Sequence, residues 1–479
     1  MKDSPKDLSR RDFLGSANCA ALGSIGLYNA LINLKAIGNV AAQSTTGDSY
    51  KAAVCLFLRG GNDSYNMLIP RTAAEFSNYQ AIRSNMAHPG SGEGMPLSLN
   101  RVDSAKTPYN NNRSFGLHPS MPGVKSLFDS GKLAFVANVG TLVEPTTIAQ
   151  YESKGVRLPQ NLFAHNSQVV EWQTSVPQGG VGTGWLGRMA DLLGSPGAGY
   201  NTGALSMNIS LAGNNTMQVG EESFAYSITE NGSIGLDTPR NNIDDEFRNS
   251  QTKSLMEETY RNLYVEAFAK QSQQSFELHD DFSAAFGAVS LNTVFPNTAL
   301  GRELRGIARS IAAQGALGHQ RQTYFVERGG FDNHTDLLSD QAILLSDVDQ
   351  AVTAFWNSLG ELGLQDNVVL FTASDFSRTL RSNGQGTDHA WGGNHFVLGG
   401  NVDGQKIYGK YPTQGELTIG SGLDVGTNGR MLPTTSIDEY YADLALWMGV
   451  PSGDLSQVLP NIGNFHTGIT APIGYLSSV

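Results

Sequence analysis

The sequence has few of the residues that mark several common classes of protein. Among its 479 residues there are two cysteines, Cys19 and Cys55, which excludes a scaffold built on many disulfides. Outside the first 42 residues, no stretch approaches the roughly 20 apolar residues that cross a bilayer, so no membrane span is expected there. Basic residues number 32 against 44 acidic ones, and the net charge is −12. Such a surface repels nucleic acid, so no nucleic-acid partner is expected.

Glycine is abundant, and apolar residues are present in an ordinary proportion. The 55 glycines predict a loop-rich architecture, and 40% hydrophobic residues are enough for a large buried core. Cys55 lies inside an apolar run, which favours a small buried side chain over a reactive thiol. One large domain over residues 43–479, with loop-rich insertions within 195–320, is the simplest organisation.

The N-terminus has the features of an export signal. Five residues match the twin-arginine pattern and precede a weakly apolar stretch rich in glycine and alanine: Ser9, Arg10, Arg11, Phe13 and Leu14. Small residues at 40–42 suit a signal-peptidase site. An amphipathic N-terminal helix is the alternative. The pattern predicts removal of residues 1–42 and a periplasmic or otherwise exported protein.

Short apolar runs, each followed by glycine or polar residues, predict the strands of a sheet. They are residues 51–58, 132–139, 322–327, 367–372 and 395–398. Continuous apolar runs of this length are typical of parallel strands buried on both faces. Helical spacing of apolar residues is clearest over 337–362, and Ser436 with Glu439 forms a capping-box pattern. The sequence therefore predicts an α/β fold with a doubly wound, mostly parallel sheet and helices on both faces.

Carboxylates and imidazoles lie next to these runs, where ligands bind in parallel sheets. The candidate metal ligands are Asp63, Asp332, His334, Asp375, Asp388 and His389. Because the carboxyl ends of parallel strands meet at one edge, these side chains predict a site for a divalent metal ion. Carboxylates alone would suit magnesium or calcium, whereas imidazoles admit zinc or manganese. Each residue alone also fits a turn, a helix cap or a structural histidine.

Several segments together resemble one bacterial family. They include "LRGGNDSYNMLIP", "FAHNSQVVEWQT", "GGFDNHTD", "TASDFSRT" and "NGQGTDHAWGGNHFVLGG". They are similar to the exported family called domain of unknown function 1501, a distant relative of the alkaline phosphatases and sulfatases. The resemblance runs from about Tyr50 to Phe465. It implies a phosphatase–sulfatase fold with metal ions at the strand ends and an anionic ester, small or polymeric, as the substrate.

The resemblance also implies roles for individual residues. Asp63, Asp332, His334 and Asp375 match ligand positions of the superfamily, and His389 or His395 would supply the last histidine. Two positions depart from the pattern. Phe376 stands in place of a histidine ligand, and Ala164 stands where a hydroxyl nucleophile is expected. Thr146, Ser167 and Ser64 are alternative hydroxyls.

Three further side chains are candidates for direct contacts with the substrate: His165, Arg378 and His395. His165 shares one helix face with Gln168 and Trp172, and the alternative is a buried polar face that packs on the rim of the sheet. Arg378 would bind an anionic group through two hydrogen bonds, or else form a structural salt bridge. The predicted function is a metal-dependent hydrolase of phosphate or sulfate esters. The alternative is a noncatalytic exported scaffold that retains the fold.

Overall fold

The computed structural model describes residues 49–87, 94–100, 106–194, 199–234, 250–251, 254–256, 258 and 263–477. The twin-arginine pattern and the rest of residues 1–42 lie outside the described residues. Within the described part, no helix has both the length and the apolar composition needed to cross a bilayer.

Strands and helices alternate along most of the chain. The strands are β1 Lys51–Leu58, β2 Leu68–Pro70, β3 Met95–Pro96, β4 Phe115–Leu117, β5 Leu133–Gly140, β6 Asn208–Ser210, β7 Tyr226–Thr229, β8 Gly232–Ser233, β9 Arg321–Arg328, β10 Val368–Ser374, β11 Arg378–Ser382, β12 Thr387–His389, β13 Gly393–Gly399, β14 Ile407–Gly409 and β15 Thr435–Ser436. The helices include α1 Ser64–Met67, α2 Ala73–Arg83, α3 Pro122–Asp129, α4 Ile148–Ser153, α5 His165–Thr174, α6 Trp185–Leu193, α7 Leu263–Gly287, α8 Ala299–Ala312, α9 Leu337–Leu362, α10 Ile437–Met448 and α11 Leu455–Val458.

The predicted strands and the clearest predicted helix are confirmed. The ends of β1, β5, β9, β10 and β13 lie within two residues of the apolar runs that predicted them. Helix α9 spans Leu337–Leu362, as its apolar spacing predicts. The capping box is also present, because Ser436 accepts from the backbone N–H of Glu439 and the Glu439 side chain accepts from Ser436.

A ten-stranded sheet forms the centre of the fold, in the order β14-β5-β13-β10-β1-β9-β6-β7-β8, with β15 also paired to β5. β1 pairs in parallel with both β10 and β9. The predicted fold class, a mostly parallel sheet covered by helices, is confirmed. Strands β6 and β7 extend this sheet in parallel beyond β9, so part of the segment 195–320 belongs to the central sheet.

The prediction that all the apolar runs form parallel strands is wrong for residues 395–398. β13 runs antiparallel between β10 and β5. The β11–β12 hairpin returns the chain to the edge where β10 ends, and β13 begins there without the crossover that a parallel strand needs. Residues just before β13 therefore lie at the same sheet edge as residues just after β1, β9 and β10.

Helices cover both faces of the sheet. Successive side chains of β1 point to opposite faces, so Val54 and Leu56 join one core while Cys55 and Phe57 join the other. Helices α3, α8 and α9 pack on the first face, and α5, α6 and α10 pack on the second. Cys55 is a buried free cysteine, as its apolar surroundings predict. Burial on both faces explains why β1 reads as an unbroken apolar run.

Helix α5 also carries a buried carboxyl group, Glu171. Burial raises the pKa of Glu171 to about 9, although a hydrogen bond from the Gln168 amide opposes the rise. Its Oε1 atom is buried without a hydrogen-bond partner among the described residues. The folded chain therefore keeps Glu171 protonated at neutral pH, whereas the unfolded chain ionises it near the ordinary value of 4.5.

We expect Glu171→Gln to stabilise the protein increasingly as the pH rises. The folded-state pKa lies above the unfolded value, so the wild-type stability from this group is complete below pH 4.5 and falls through the window up to about 9. The uncharged amide of the variant does not undergo this loss of stability, which amounts to roughly 1 kcal/mol per pH unit. Thermal unfolding at pH 5, 6, 7 and 8 measures the difference, with exposed Glu152→Gln on α4 as the matched control. A difference that does not grow with pH would contradict the assignment.

Candidate metal centre

Four side chains from three separate parts of the chain converge at the carboxyl edge of the sheet. His165 is the first residue of α5, Asp332 and His334 lie in the loop after β9, and His389 ends β12. All four side chains are partly exposed, between 25% and 48%. The group therefore lies at the surface of the sheet edge, where a small molecule can reach it.

The Nε2 atoms of the three histidines point at one another. Nε2 of His389 lies 3.1 Å from Nε2 of His165 and 3.0 Å from Nε2 of His334. Oδ1 of Asp332 lies 3.1 Å from Nε2 of His334, and 3.4 Å from Nε2 of both His165 and His389. His165, Asp332 and His389 together satisfy the geometry of a metal-ligand group.

Each of these rings is held by an oxygen at its other nitrogen. Nδ1 of His165 lies 2.7 Å from the Asp375 carboxylate, and Nδ1 of His334 lies 3.1 Å from Asp388. Nδ1 of His389 lies 2.7 Å from the backbone carbonyl of Phe163. A carboxylate or carbonyl oxygen accepts a hydrogen bond, so each Nδ1 carries the proton of the neutral ring. The Nε2 atoms therefore carry the lone pairs, and those of His165 and His389 face one another beside the Asp332 carboxylate.

This arrangement of donors fits a divalent cation. Lone pairs that face one another repel, and a cation between them removes the repulsion. Imidazole nitrogens held in one tautomer by an oxygen at the other nitrogen are typical of metal-ligating histidines. Asp375 and Asp388, which the sequence predicts as ligands, lie behind His165 and His334 instead of at the convergence point. His165, predicted to contact the substrate, lies among the converging donors.

The surrounding charges keep Asp332 ionised. Burial opposes its ionisation, but the Arg378 guanidinium and the neighbouring histidines together lower the pKa of Asp332. The hydrogen bond that His165 donates to Asp375 is the largest influence on His165, and it raises the pKa of that ring. A more basic Nε2 is also a stronger donor to a cation. Burial lowers the pKa of His389, so this ring favours the neutral form that ligates metal.

Arg378 lies underneath the centre and is fully buried. Its nitrogens donate to the backbone carbonyls of Gly61, Gly60, Phe331 and Thr387 at 3.0–3.2 Å. The Nη2 atom of Arg378 also forms a salt bridge with the Asp332 carboxylate. The sequence predicts that Arg378 binds an anionic substrate. The structure instead assigns its donors to the loops that hold Asp332 and His389, as in the alternative interpretation.

Two glycines after β1 let these loops approach each other closely. Gly60 has φ +113°, and a Cβ atom there would lie 2.5 Å from the backbone nitrogen of Asp332. Gly61 has φ +82°, and its Cβ would lie 2.5 Å from the Phe376 ring. That ring in turn packs 4.7 Å from both His165 and His389. Phe376, one of the two positions at which the sequence departs from the expected pattern, forms an apolar wall of the centre.

Asp63 lies apart from the converging donors. Its carboxylate pairs with Arg83 at 2.5 Å, and neither side chain is exposed. It also accepts from the hydroxyl of Thr387 at 3.2 Å and from the backbone N–H of Asn66 at 3.3 Å. The structure thus places this predicted ligand in a buried ion pair that caps α1.

His395 also lies elsewhere, in the core on β13. Its ring packs against Trp172 and Tyr440, and burial lowers its pKa to about 3. It is therefore neutral at physiological pH and touches none of the four central side chains. Gln168 and Trp172 are buried as well, and Gln168 accepts from the hydroxyl of Thr141, so this helix face packs inward.

Sequence reasoning missed the turn before α5. Asn161 and Phe163 have positive φ values of 48° and 70°, which is uncommon for residues other than glycine. This turn directs the Phe163 carbonyl to His389 and starts α5 at His165. Ala164 occupies the N-cap of that helix and offers no side-chain hydrogen bond. The strained turn has no signature in the residue types, so the sequence alone does not reveal it.

Comparison of the sequence with known families is decisive at this point. Residues 50–426 match the family described as "Protein of unknown function (DUF1501)". The chain belongs to this family. The resemblance found in the sequence motifs is therefore confirmed. No curated protein matches the chain in sequence at a significant level.

Weak structural matches to solved structures come from several bacteria. The lipoteichoic acid synthase LtaP of Listeria monocytogenes is 9% identical, with 84% of this chain and 80% of that one covered and a TM-score of 0.30. The lipooligosaccharide phosphoethanolamine transferase EptA of Neisseria meningitidis is 8% identical over 92% and 62% of the two chains, with a TM-score of 0.34. The PsFucS1 sulfatase of Pseudoalteromonas sp. is 11% identical over 89% and 72%, with a TM-score of 0.26. Similarity at this level says nothing about activity.

We expect the full chain to bind about one zinc ion through the converging donors, and His389→Ala to weaken that binding by at least ten-fold. The substitution removes the imidazole whose Nε2 lies closest to the other two. Elemental analysis and zinc titration by calorimetry measure the stoichiometry and affinity. His279→Ala is the matched control, because His279 on α7 bonds to Ser233 away from the centre. Equal zinc binding by both variants would remove His389 from the site.

Gly60→Ala should weaken zinc binding without any change of donor chemistry. The added methyl group collides with the backbone of Asp332, so the loop that holds Asp332 and His334 has to shift. Zinc affinity is compared with that of Gly182→Ala, where a Cβ meets no atom within 4 Å. An affinity for Gly60→Ala equal to that of the control would show that the close approach is dispensable.

Proposed function

We propose that the protein is an exported, metal-dependent hydrolase of phosphate or sulfate esters. The observation that carries this proposal is the convergence of the Nε2 atoms of His165 and His389 with the Asp332 carboxylate at the sheet edge, with Nε2 of His334 3.0 Å from that of His389. Export is supported by the twin-arginine pattern of Ser9 to Leu14 and the small residues at 40–42.

Zinc is the ion that suits these donors best. Two imidazoles and one carboxylate, with His334 as a further imidazole next to His389, form a nitrogen-rich set, which is typical of zinc, with manganese as the nearest alternative. Magnesium and calcium prefer sites made of oxygen atoms. The carboxylates near the centre that would suit them, Asp375 and Asp388, are engaged by histidine rings.

Asp332 and Phe376 would assist the reaction alongside the bound cation. A divalent cation at this point would polarise the ester and favour the ionisation of a water molecule. Asp332 is ionised, and its Oδ2 atom makes no hydrogen bond within the described residues, so it is available to orient the attacking water and accept its proton. Phe376 shields one side of the His165 and His389 rings from solvent.

Water is the proposed nucleophile because the neighbouring hydroxyls are engaged. Ala164 stands at the head of α5, where a hydroxyl would meet the N-terminus of the helix. Ser64 is buried and bonded to Ser377 and to the backbone N–H of Asn394. Thr146 donates to the carbonyl of Glu144, and Ser167 accepts from Asn161. A direct displacement by water therefore fits this chain better than a covalent enzyme intermediate.

A noncatalytic metal-binding protein is the second candidate. The observation that favours it is the sequestration of Asp63 by Arg83 and of Arg378 by backbone carbonyls, which removes a second carboxylate ligand and an anion clamp. Such a protein would bind zinc as described above but would not turn over any ester.

Asp332→Asn should lower kcat/KM for ester hydrolysis by roughly 100-fold or more, because the amide neither carries the charge nor accepts the proton of water. Zinc-loaded full-length protein is assayed on 4-nitrophenyl phosphate, bis(4-nitrophenyl) phosphate and 4-nitrophenyl sulfate. Asp336→Asn, an exposed aspartate four residues along the same loop, is the matched control and should stay within about two-fold of wild type. Zinc binding without turnover of any ester by the wild type would favour the noncatalytic candidate.

A further inference from the structure

A second cavity opens directly beside the candidate metal centre. It has a volume of about 370 Å³ and is lined by α5, by the segment 212–216 after β6, and by residues at the ends of β1 and β9. His165 belongs to both the cavity and the metal centre. One molecule can therefore occupy the cavity with one part and place its ester group at the metal centre with another. The volume lies within the range that binds small molecules.

The polar lining of this cavity consists largely of neutral amides. Asn166, Gln173, Asn214 and Asn215 all line it, together with Thr216. An amide side chain both donates and accepts hydrogen bonds, and so does a hydroxyl group. A surface rich in amides therefore matches a molecule that carries several hydroxyl groups. We name this cavity the amide pocket.

Gln173 shows that the pocket has an oriented donor. The residue is 6% exposed, and its Oε1 accepts from the backbone N–H of Thr216 at 2.9 Å. This bond determines which end of the amide is the carbonyl and directs Nε2 away from that contact. Nε2 makes no hydrogen bond within the described residues, and Asn166 and Asn214 are exposed without one. The pocket thus offers amide groups that are free to bind a ligand.

The charges and apolar side chains of the pocket narrow the choice of ligand. Arg59 and Glu327 form an ion pair at 3.1 Å, so their charges offset each other in the pocket. Phe325 is only 1% exposed and offers no face for stacking a nucleobase or an aryl ring. Val169 and Val170 add a small apolar surface that suits the C–H groups of a sugar ring.

We propose that the amide pocket binds the alcohol part of the ester and that this alcohol is a sugar or a related polyol. The inference rests on the proposed hydrolase function and adds the substrate class to it. The ester group would lie at the metal centre, while Asn166 and Gln173 bind hydroxyl groups of the ring. Both side chains project from α5, the helix that also carries His165, so the pocket and the centre are positioned by one element.

The test compares sugar esters with aryl esters on the zinc-loaded full chain. The probes are hexose 6-phosphates and hexose 6-sulfates, set against 4-nitrophenyl phosphate and 4-nitrophenyl sulfate. We expect wild-type kcat/KM to be higher for at least one sugar ester than for the corresponding aryl ester. Asn166→Ala and Gln173→Glu should each lower the ratio of the sugar value to the aryl value about ten-fold, chiefly through KM.

The variants are chosen to keep the fold. Gln173→Glu retains the oxygen that accepts from Thr216 and replaces the Nε2 donor with an acceptor oxygen of a carboxylate, and Asn166 is exposed on α5. Asn357→Ala, an exposed asparagine on α9, is the matched control and should leave the ratio unchanged.

The outcomes separate this inference from the function on which it rests. If aryl esters are hydrolysed but no sugar ester is preferred, or if the variants leave the ratio unchanged, the inference is overturned and the hydrolase proposal stands. If no ester is hydrolysed, the hydrolase proposal fails. Saturation-transfer NMR with methyl hexosides then tests whether the amide pocket binds a sugar. Binding that Asn166→Ala abolishes supports a sugar site, and the absence of binding overturns it.

Discussion

The candidate centre depends on one buried interaction, the guanidinium of Arg378 bonded to the backbone carbonyls of Gly60, Gly61, Phe331 and Thr387. These carbonyls belong to the loop after β1, the loop after β9 and the start of β12. A buried cation requires hydrogen-bond acceptors, so the loops have to meet around it. Once they meet, Asp332, His334 and His389 lie within reach of His165. Gly60 and Gly61 permit the approach because a side chain at either position would collide with the opposing loop.

Oxygen atoms that accept from the Nδ1 atoms of the three histidines make these rings suitable as metal ligands. Without Asp375, Asp388 and the Phe163 carbonyl, each ring could carry its proton on either nitrogen. With them, the protons are held on the Nδ1 atoms, and the Nε2 atoms carry the lone pairs. The same bonds orient the rings before any ion arrives, so little reorganisation opposes ion binding. Asp375 and Asp388, which the sequence predicts as metal ligands, thus determine the tautomers of His165 and His334.

The buried ion pair between Asp63 and Arg83 keeps the Asp63 carboxylate away from the candidate centre. A carboxylate that is fully buried needs a compensating charge, and the guanidinium provides it within the protein. Combined with Ala164 at the head of α5, this arrangement favours displacement by water over covalent catalysis. In the proposed reaction, the amide pocket beside His165 binds hydroxyl groups of the substrate next to the reacting ester.

The sequence by itself determined the sheet, its five longest strands, the long helix α9 and the set of polar residues at the sheet edge. It could do so because apolar runs, helical spacing and glycine-terminated strands are local patterns. Only the tertiary structure decided that β13 runs antiparallel, that Asp63 and His395 lie apart, and that His165 joins His389. Asp63 is held by Arg83 on α2, and the direction of β13 follows from the β11–β12 hairpin before it. The meeting of His165 with His389 depends on contacts between residues more than 200 positions apart, as does that of Gly60 with Asp375. No local pattern encodes such distances, because they follow from how the loops pack around Arg378.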